Sequence, residues 1–178
     1  LLSVLGPVIL AGSLNLSDIV QAQDGLAFGF LPRWFILPQF GAFLLYVVAS
    51  LAELSQTPFD MTEAESELIT GFANEYGAMK FGMMFLSEFS NLFVLSGLGV
   101  TLFFGGWTIP WVPASALGSW AIIVFIFKTY IGIFVIMWIR GTMPRVRIDK
   151  ILAFSWKALV PVSLAWILLT GLIVKVVG

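Results

Sequence analysis

The sequence contains no cysteine and no histidine, and charged residues make up only 11% of its 178 positions. Without cysteine there are no disulfides, thiolate metal sites or cysteine nucleophiles. Without histidine, zinc sites and imidazole acid–base chemistry are excluded too. Iron–sulfur clusters and haems lose their usual ligands along with them. The shortage of charge is equally informative. Soluble domains are roughly a quarter charged, whereas this chain is 60% hydrophobic and 15% aromatic. Its apolar residues come in long unbroken runs, not in short alternating strands, so the composition points to an all-α integral membrane protein and away from a barrel. The formal net charge of −1 says little, because the distribution of charges carries the signal.

A membrane-spanning helix needs about 20 mostly apolar residues. On that criterion the chain reads as a single membrane domain, a polytopic helix bundle with about five spans, near residues 1–17, 34–53, 80–104, 119–139 and 157–175. The first run, "LLSVLGPVILAG", has no basic flank and is read as the interior of a span, so the sequence is expected to be part of a longer chain. "GGWTIPWVPASALG" (105–118) interrupts the apolar pattern with glycine and proline. With five spans, loops 54–79 and 140–156 share one face. Arg140, Arg145, Arg147, Lys150 and Lys157 gather there, five of the nine basic residues. By the positive-inside rule that face is cytoplasmic, or the matrix side in an organelle. The chain shows no internal repeat and no low-complexity tract.

Acidic residues are clustered far more tightly. "AELSQTPFDMTEAESELITGFANEY" (52–76) holds six carboxylates and no basic residue. One reading is a capped surface helix, with Asp60 as N-cap, Glu63 completing a capping box and Gly71 as the stop. Against it, Glu63 and Glu67 repel at i,i+4. The acids also continue past the loop: Glu53 closes one span, Glu75 precedes the next, and Glu88 lies inside it. Eight residues past Lys80 is about 12 Å along a helix axis, and an ionisable residue in a span usually marks an ion or proton path. Lys128 falls under the same logic, either in such a path or in a structural ion pair with Glu88 as partner. Closely spaced carboxylates in a low dielectric cannot all stay ionised, which suits a file of them to proton relay.

These residues are also similar to a known pattern. "AELSQTPFDMTEAESELITGFANEYGAMKFGMMFLSEF" resembles the signature of the H-type membrane subunit of respiratory complex I (subunit 1 in mitochondria). That signature runs A-E-x-x-R-x-P-F-D, E-A-E-x-E-L, G-[YF]-x-x-E-Y and then a Glu–aromatic pair in the next helix. "KTYIGIFVIMWIRGTMPRVRIDKILAFSWKALVP" resembles the W-I-R-x-x-x-P-R-x-R-x-D segment that follows, with its later W-K and P. "LAGSLNLSDIVQAQ" looks like the earlier helix exit. The likeness covers essentially the whole chain, whereas members of that family are roughly twice as long, with about eight spans.

The resemblance implies a membrane subunit of a proton-pumping NADH:quinone oxidoreductase, carrying no redox centre of its own. Its substrate would be a lipid quinone: ubiquinone, menaquinone or plastoquinone. Its partners would be the other membrane-arm subunits and the quinone-site subunits of the hydrophilic arm, in a bacterial plasma membrane or an organellar energy-transducing membrane, with no nucleic acid involved. Carried over by position, Phe59, Asp60, Glu63, Glu65, Phe72 and Tyr76 would meet the quinone. Glu53, Glu63, Glu65, Glu67, Glu75, Glu88 and Lys128 would form the proton path. Arg140, Arg145, Arg147 and Lys157 would be structural or interface cations, with Asp149 in the same segment. The chain departs from the pattern at Gln56, where the family has Arg. It does so again at Phe89, where Tyr is usual, and at Lys150, where Gln is usual. Competing readings are a membrane subunit of an energy-converting hydrogenase, an independent ion transporter and a passive membrane anchor.

Overall fold

A computed structural model describes residues 1–27, 31–54, 57–59, 77–110, 112, 118–144, 146 and 148–177. Asp60, Glu63, Glu65, Glu67, Phe72, Glu75 and Tyr76 lie outside the described residues, as do Gln56, Arg145 and Arg147.

The molecule is an all-α membrane bundle. Helix α1 (Leu2–Ala11) ends at Gly12, whose φ of 67° is left-handed and suits glycine. Helix α2 (Leu16–Ala22) begins at once, with the Asn15 side chain accepting a hydrogen bond from the Ser17 N–H. The two helices are bent by 62°. The first apolar run therefore ends at Gly12, and the Asn15–Asp18 segment starts a second helix. A small antiparallel ladder pairs β1 (Leu26–Ala27) with β2 (Leu31–Pro32).

Helix α3 (Phe40–Glu53) follows a turn, α4 is Ala78–Phe103 and α5 is Trp120–Thr142. Helix α6 (Ile148–Phe154) runs through a π-helical turn (Ser155–Leu159) into α7 (Val160–Val177). In the π turn the Val160 N–H bonds back to the Ser155 carbonyl. Pro161 directly follows, and it can neither donate to the preceding turn nor tolerate a regular α-helical carbonyl there. Widening the helix is a known response to such a residue. The last span thus starts near Lys150, and Lys157 sits inside the helix as an exposed residue, not at its mouth.

Met79–Phe103, Trp120–Thr142 and Lys150–Val176 are each long and apolar enough to cross a membrane, and the bent α1–α2 pair makes a fourth span if counted as one. Helix α3, with 14 residues, is about 21 Å long at 1.5 Å per residue. The surface agrees with a lipid setting: Trp120, Phe127, Phe134 and Trp138 are all exposed along α5.

Two apolar clusters organise the interior. One joins Ile19, Phe35, Ala42, Tyr46, Leu102 and Phe103 near the end of α4. The other joins Leu51, Leu54, Leu92 and Ile136, with Phe59 packed against it. Between helices, polar groups and small residues supply the adhesion that the hydrophobic effect cannot supply in lipid. Tyr46 donates to the Leu95 carbonyl at 2.7 Å, and Ser96 donates to the Thr129 carbonyl at 2.8 Å. A Cβ at Gly99 would stand 2.9 Å from the Tyr46 ring, so the approach of α3 to α4 depends on its absence. Gln39 accepts from the Trp166 indole at 2.7 Å and donates to Thr170 at 3.1 Å, tying α3 to α7.

Candidate functional site

At the acidic-loop face, three elements converge on the start of that loop. Thr57 donates its hydroxyl to the Arg140 carbonyl at 2.7 Å, in the last turn of α5. The Val146 N–H donates to the Pro58 carbonyl at 3.1 Å. The start of the acidic loop is thereby stitched both to α5 and to the basic segment after it. Beneath these bonds lies a cavity of about 490 Å³, walled by α3 (Val47, Leu51), by Pro58 and Phe59, by α5 (Ile139, Met143) and by α6 (Lys150, Phe154). Its size is that of a small-molecule site. Among its described lining residues, Lys150 carries the charge.

Glu88 stands beside this region. Its carboxylate lies 3.9 Å from the Arg140 guanidinium. The pairing follows from the antiparallel register of α4 and α5, which sets Glu88 against Arg140, Leu92 against Ile136 and Ser96 against Gly132. Counted along α4, Glu88 lies ten residues, about 15 Å, from the helix start. Counted from α5, it is level with the last turn. The first turns of α4 overshoot the end of its neighbour, so Glu88 sits near the mouth of the bundle. Glu53 is exposed at the last residue of α3.

Lys128 is elsewhere, and its expected pairing with Glu88 does not form: Arg140 takes that place. Its ammonium donates to the Phe104 carbonyl at 2.8 Å and to the Thr108 carbonyl at 2.6 Å. It also lies 4.8 Å from the centre of the Trp34 ring. Phe104 is sixteen residues beyond Glu88, about 24 Å along the axis. Lys128 therefore caps the far end of α4 from the neighbouring helix, at the pole of the helix dipole that favours a cation.

A residue without charge or motif completes that end. Gln23 is buried, with 1% of its surface exposed. Its amide N–H₂ donates to the carbonyls of Ile19, Thr101 and Leu102, and its oxygen accepts from the N–H groups of Phe35 and Gly105. The Ile36 N–H takes the Phe103 carbonyl, and the Gly106 N–H takes that of Val100. The last four carbonyls of a helix lack partners within it; in α4 each of them has one. Sequence reasoning missed Gln23. It stands between Gln21 and Asp24 in a stretch that reads as a polar loop, so nothing in the sequence singled it out.

Two charge-assisted hydrogen bonds of about 1.5–3 kcal/mol each tie Lys128 to the end of α4. Lys128→Met is expected to lower the melting temperature of the purified protein by several degrees, read by thermal denaturation. Unchanged melting would show that these two bonds contribute little to stability.

A sequence profile described as NADH dehydrogenase matches residues 1–171. The chain belongs to this family. It is 43% identical over 165 residues to the H-type subunit of the NADH-quinone oxidoreductase of Magnetococcus marinus, covering 93% of this chain and 46% of that protein. It is 44% identical over 170 residues to an H-type subunit from Geobacter metallireducens, covering 96% and 47%. It is 42% identical over 179 residues to the H-type subunit from Brevibacillus brevis, covering 98% and 49%. The chain thus spans about half the length of the curated relatives it matches. Within the family, the expected site residues divide into two groups. Phe59 lines the loop-face cavity and Glu88 pairs with Arg140 near it, whereas Lys128 is hydrogen-bonded at the other end of α4.

Proposed function

We propose that this chain is part of the membrane subunit of a proton-translocating NADH:quinone oxidoreductase, in which it walls a quinone slot and passes protonation changes inward from the acidic loop. The observation that carries this reading is the cavity of about 490 Å³ at the loop face, lined by Phe59 and adjoined by the Glu88–Arg140 pair. An apolar slot suits a lipid quinone, because the hydrophobic body of the ligand is what such walls hold. The carboxylates that continue from Phe59 would then surround the headgroup and respond to its reduction. Asp60, Glu63, Glu65, Glu67 and Glu75 remain in the proposal as the loop part of the file, and Glu53 and Glu88 as its helical part. Phe72 and Tyr76 stay with the quinone walls. Lys128 serves as a static anchor outside the relay.

The names of the relatives support the substrate class and the presence of further subunits as partners. A photoreactive short-chain quinone, illuminated in the assembled complex, is expected to label residues 57–59 or 139–154 of this chain and to be displaced by excess quinone. Competed labelling confined to other parts of the chain, or absent from it, would remove the slot from this cavity.

A further inference from the structure

We infer that the bare side of α4 around Asn91 docks a membrane helix from the part of this subunit that the present chain does not span, and that Asn91 hydrogen-bonds across that contact. Burial within α4 is lopsided along its length. Leu92, Ser96, Val100, Leu102 and Phe103 are buried, and all lie in the second half of the helix. In the first half Met79, Phe81, Met83, Phe85, Leu86 and Phe89 are exposed, which places apolar residues nearly all round it. A helix of that kind is covered by protein or by lipid.

Three polar residues decide between the two. Ser87, Ser90 and Asn91 are exposed, and with Val94, itself 59% exposed, they follow the i, i+3, i+4, i+7 spacing of one helix face. Asn91 is thirteen residues from the start of the 26-residue helix, at its middle. The Ser90 hydroxyl donates to the Leu86 carbonyl of its own helix at 2.8 Å. Among the described residues the Asn91 amide has no hydrogen-bond partner, although it carries two donors and an acceptor. A lipid tail offers it none, whereas amide side chains in spans hydrogen-bond across helix contacts, with small residues beside them for close approach. The outward face of α5 is the contrast. Ile123, Phe127, Phe134 and Trp138 are exposed there without an amide among them, as suits a side that meets lipid. Length then identifies the occupant. The match covers 46%, 47% and 49% of three relatives, so about as much chain again lies outside it in each. Helix α4 packs against α1, α2, α3 and α5, and a helix added beside its bare half extends the same bundle.

The test uses the complete subunit within its assembled complex in lipid nanodiscs. Asn91→Leu is expected to lower the melting temperature by a few degrees, because one interhelical hydrogen bond is lost, and Asn91→Gln to recover part of that shift. An asparagine facing lipid predicts the opposite sign, since leucine is the better residue there. A raised or unchanged melting temperature in the Leu variant overturns the inference. The occupant is read independently of stability. The photocrosslinker p-benzoylphenylalanine, placed at Val94 and illuminated, is expected to join Val94 to a segment of the same polypeptide outside the stretch spanned here, mapped by peptide mass spectrometry. The same probe at Phe127 is expected to give lipid adducts and is the reference for a side that meets lipid. Crosslinks from Val94 to lipid, to a different subunit or to nothing overturn the inference.

Discussion

Glu88→Gln is expected to cut proton translocation by the assembled complex at least about tenfold, since a positioned proton-transfer group typically contributes about 10²–10⁴-fold. The amide is nearly isosteric with the carboxylate and keeps its hydrogen-bonding capacity, so packing against α5 is preserved. What it loses is the ability to gain and release a proton. Stability should change little. The partner guanidinium is 3.9 Å away, and the two side chains are 37% and 23% exposed, so water screens the pair. Assembly and subunit content are therefore expected to match the parent. Glu88→Asp restores a titratable group on a shorter arm and should recover part of the pumping. The measurement is the proton-to-electron ratio in vesicles, read beside the rate of quinone reduction. A Gln variant with an unchanged ratio would take Glu88 out of the relay.

The second large effect is on folding. Gln23→Ala deletes one amide that serves five backbone groups. The N–H groups of Phe35 and Gly105 would lose their acceptor, and the carbonyls of Thr101 and Leu102 their donor. A buried group left unsatisfied costs about 1–3 kcal/mol, and the shortage of water in a bilayer setting keeps that cost in force. Two stranded N–H groups alone bring about 2–6 kcal/mol, a large share of a typical stability of about 5–15 kcal/mol. The subunit carrying Gln23→Ala is expected to accumulate poorly in membranes, and any purified complex should melt at least about ten degrees lower. Gln23→Met, which fills the space but makes no bonds, should behave like Ala. Parent-like melting in the Met variant would show that packing holds that end of α4, with the hydrogen bonds contributing little.

How far the sequence alone reached differs from residue to residue. The long helices were legible because charge and glycine or proline mark their ends: Lys80, Gly105, Arg140 and Lys175 stand at or near the limits of α4, α5 and α7. The apolar runs disclosed the class of protein for the same reason. The helix end after Ala11 was legible, because Gly12, Ser13, Asn15, Ser17 and Asp18 follow it, but the immediate restart of helix at Leu16 was not. Pro161 was a usable sign of the π turn, yet proline in a membrane helix is common enough to pass as ordinary. The partner of Glu88 could not be read locally. It depends on the register of two helices and on how far one overshoots the other, and Arg140 lies 52 residues away in the chain. Lys128 shows the same limit. Its depth in the sequence suggested a relay, while its actual partners are backbone carbonyls, which no residue pattern displays. Gln23 was hidden for that reason as well.

The separation of Glu88 from Lys128 has an electrical consequence. A second cavity of about 310 Å³ lies along this stretch, lined mostly by apolar side chains with Ser50, Ser96, Tyr46 and Lys128 among them. The Tyr46 and Ser96 hydroxyls both donate to backbone carbonyls, and the ammonium of Lys128 is committed at the far end. Between Glu88 and Phe104, about 24 Å along α4, the sequence offers no titratable side chain. Behind that stretch the terminus of α4 is capped by Gln23 and Lys128. In the proposed relay, a proton held at Glu88 would therefore pass to a group on another helix, across the bundle and not along α4.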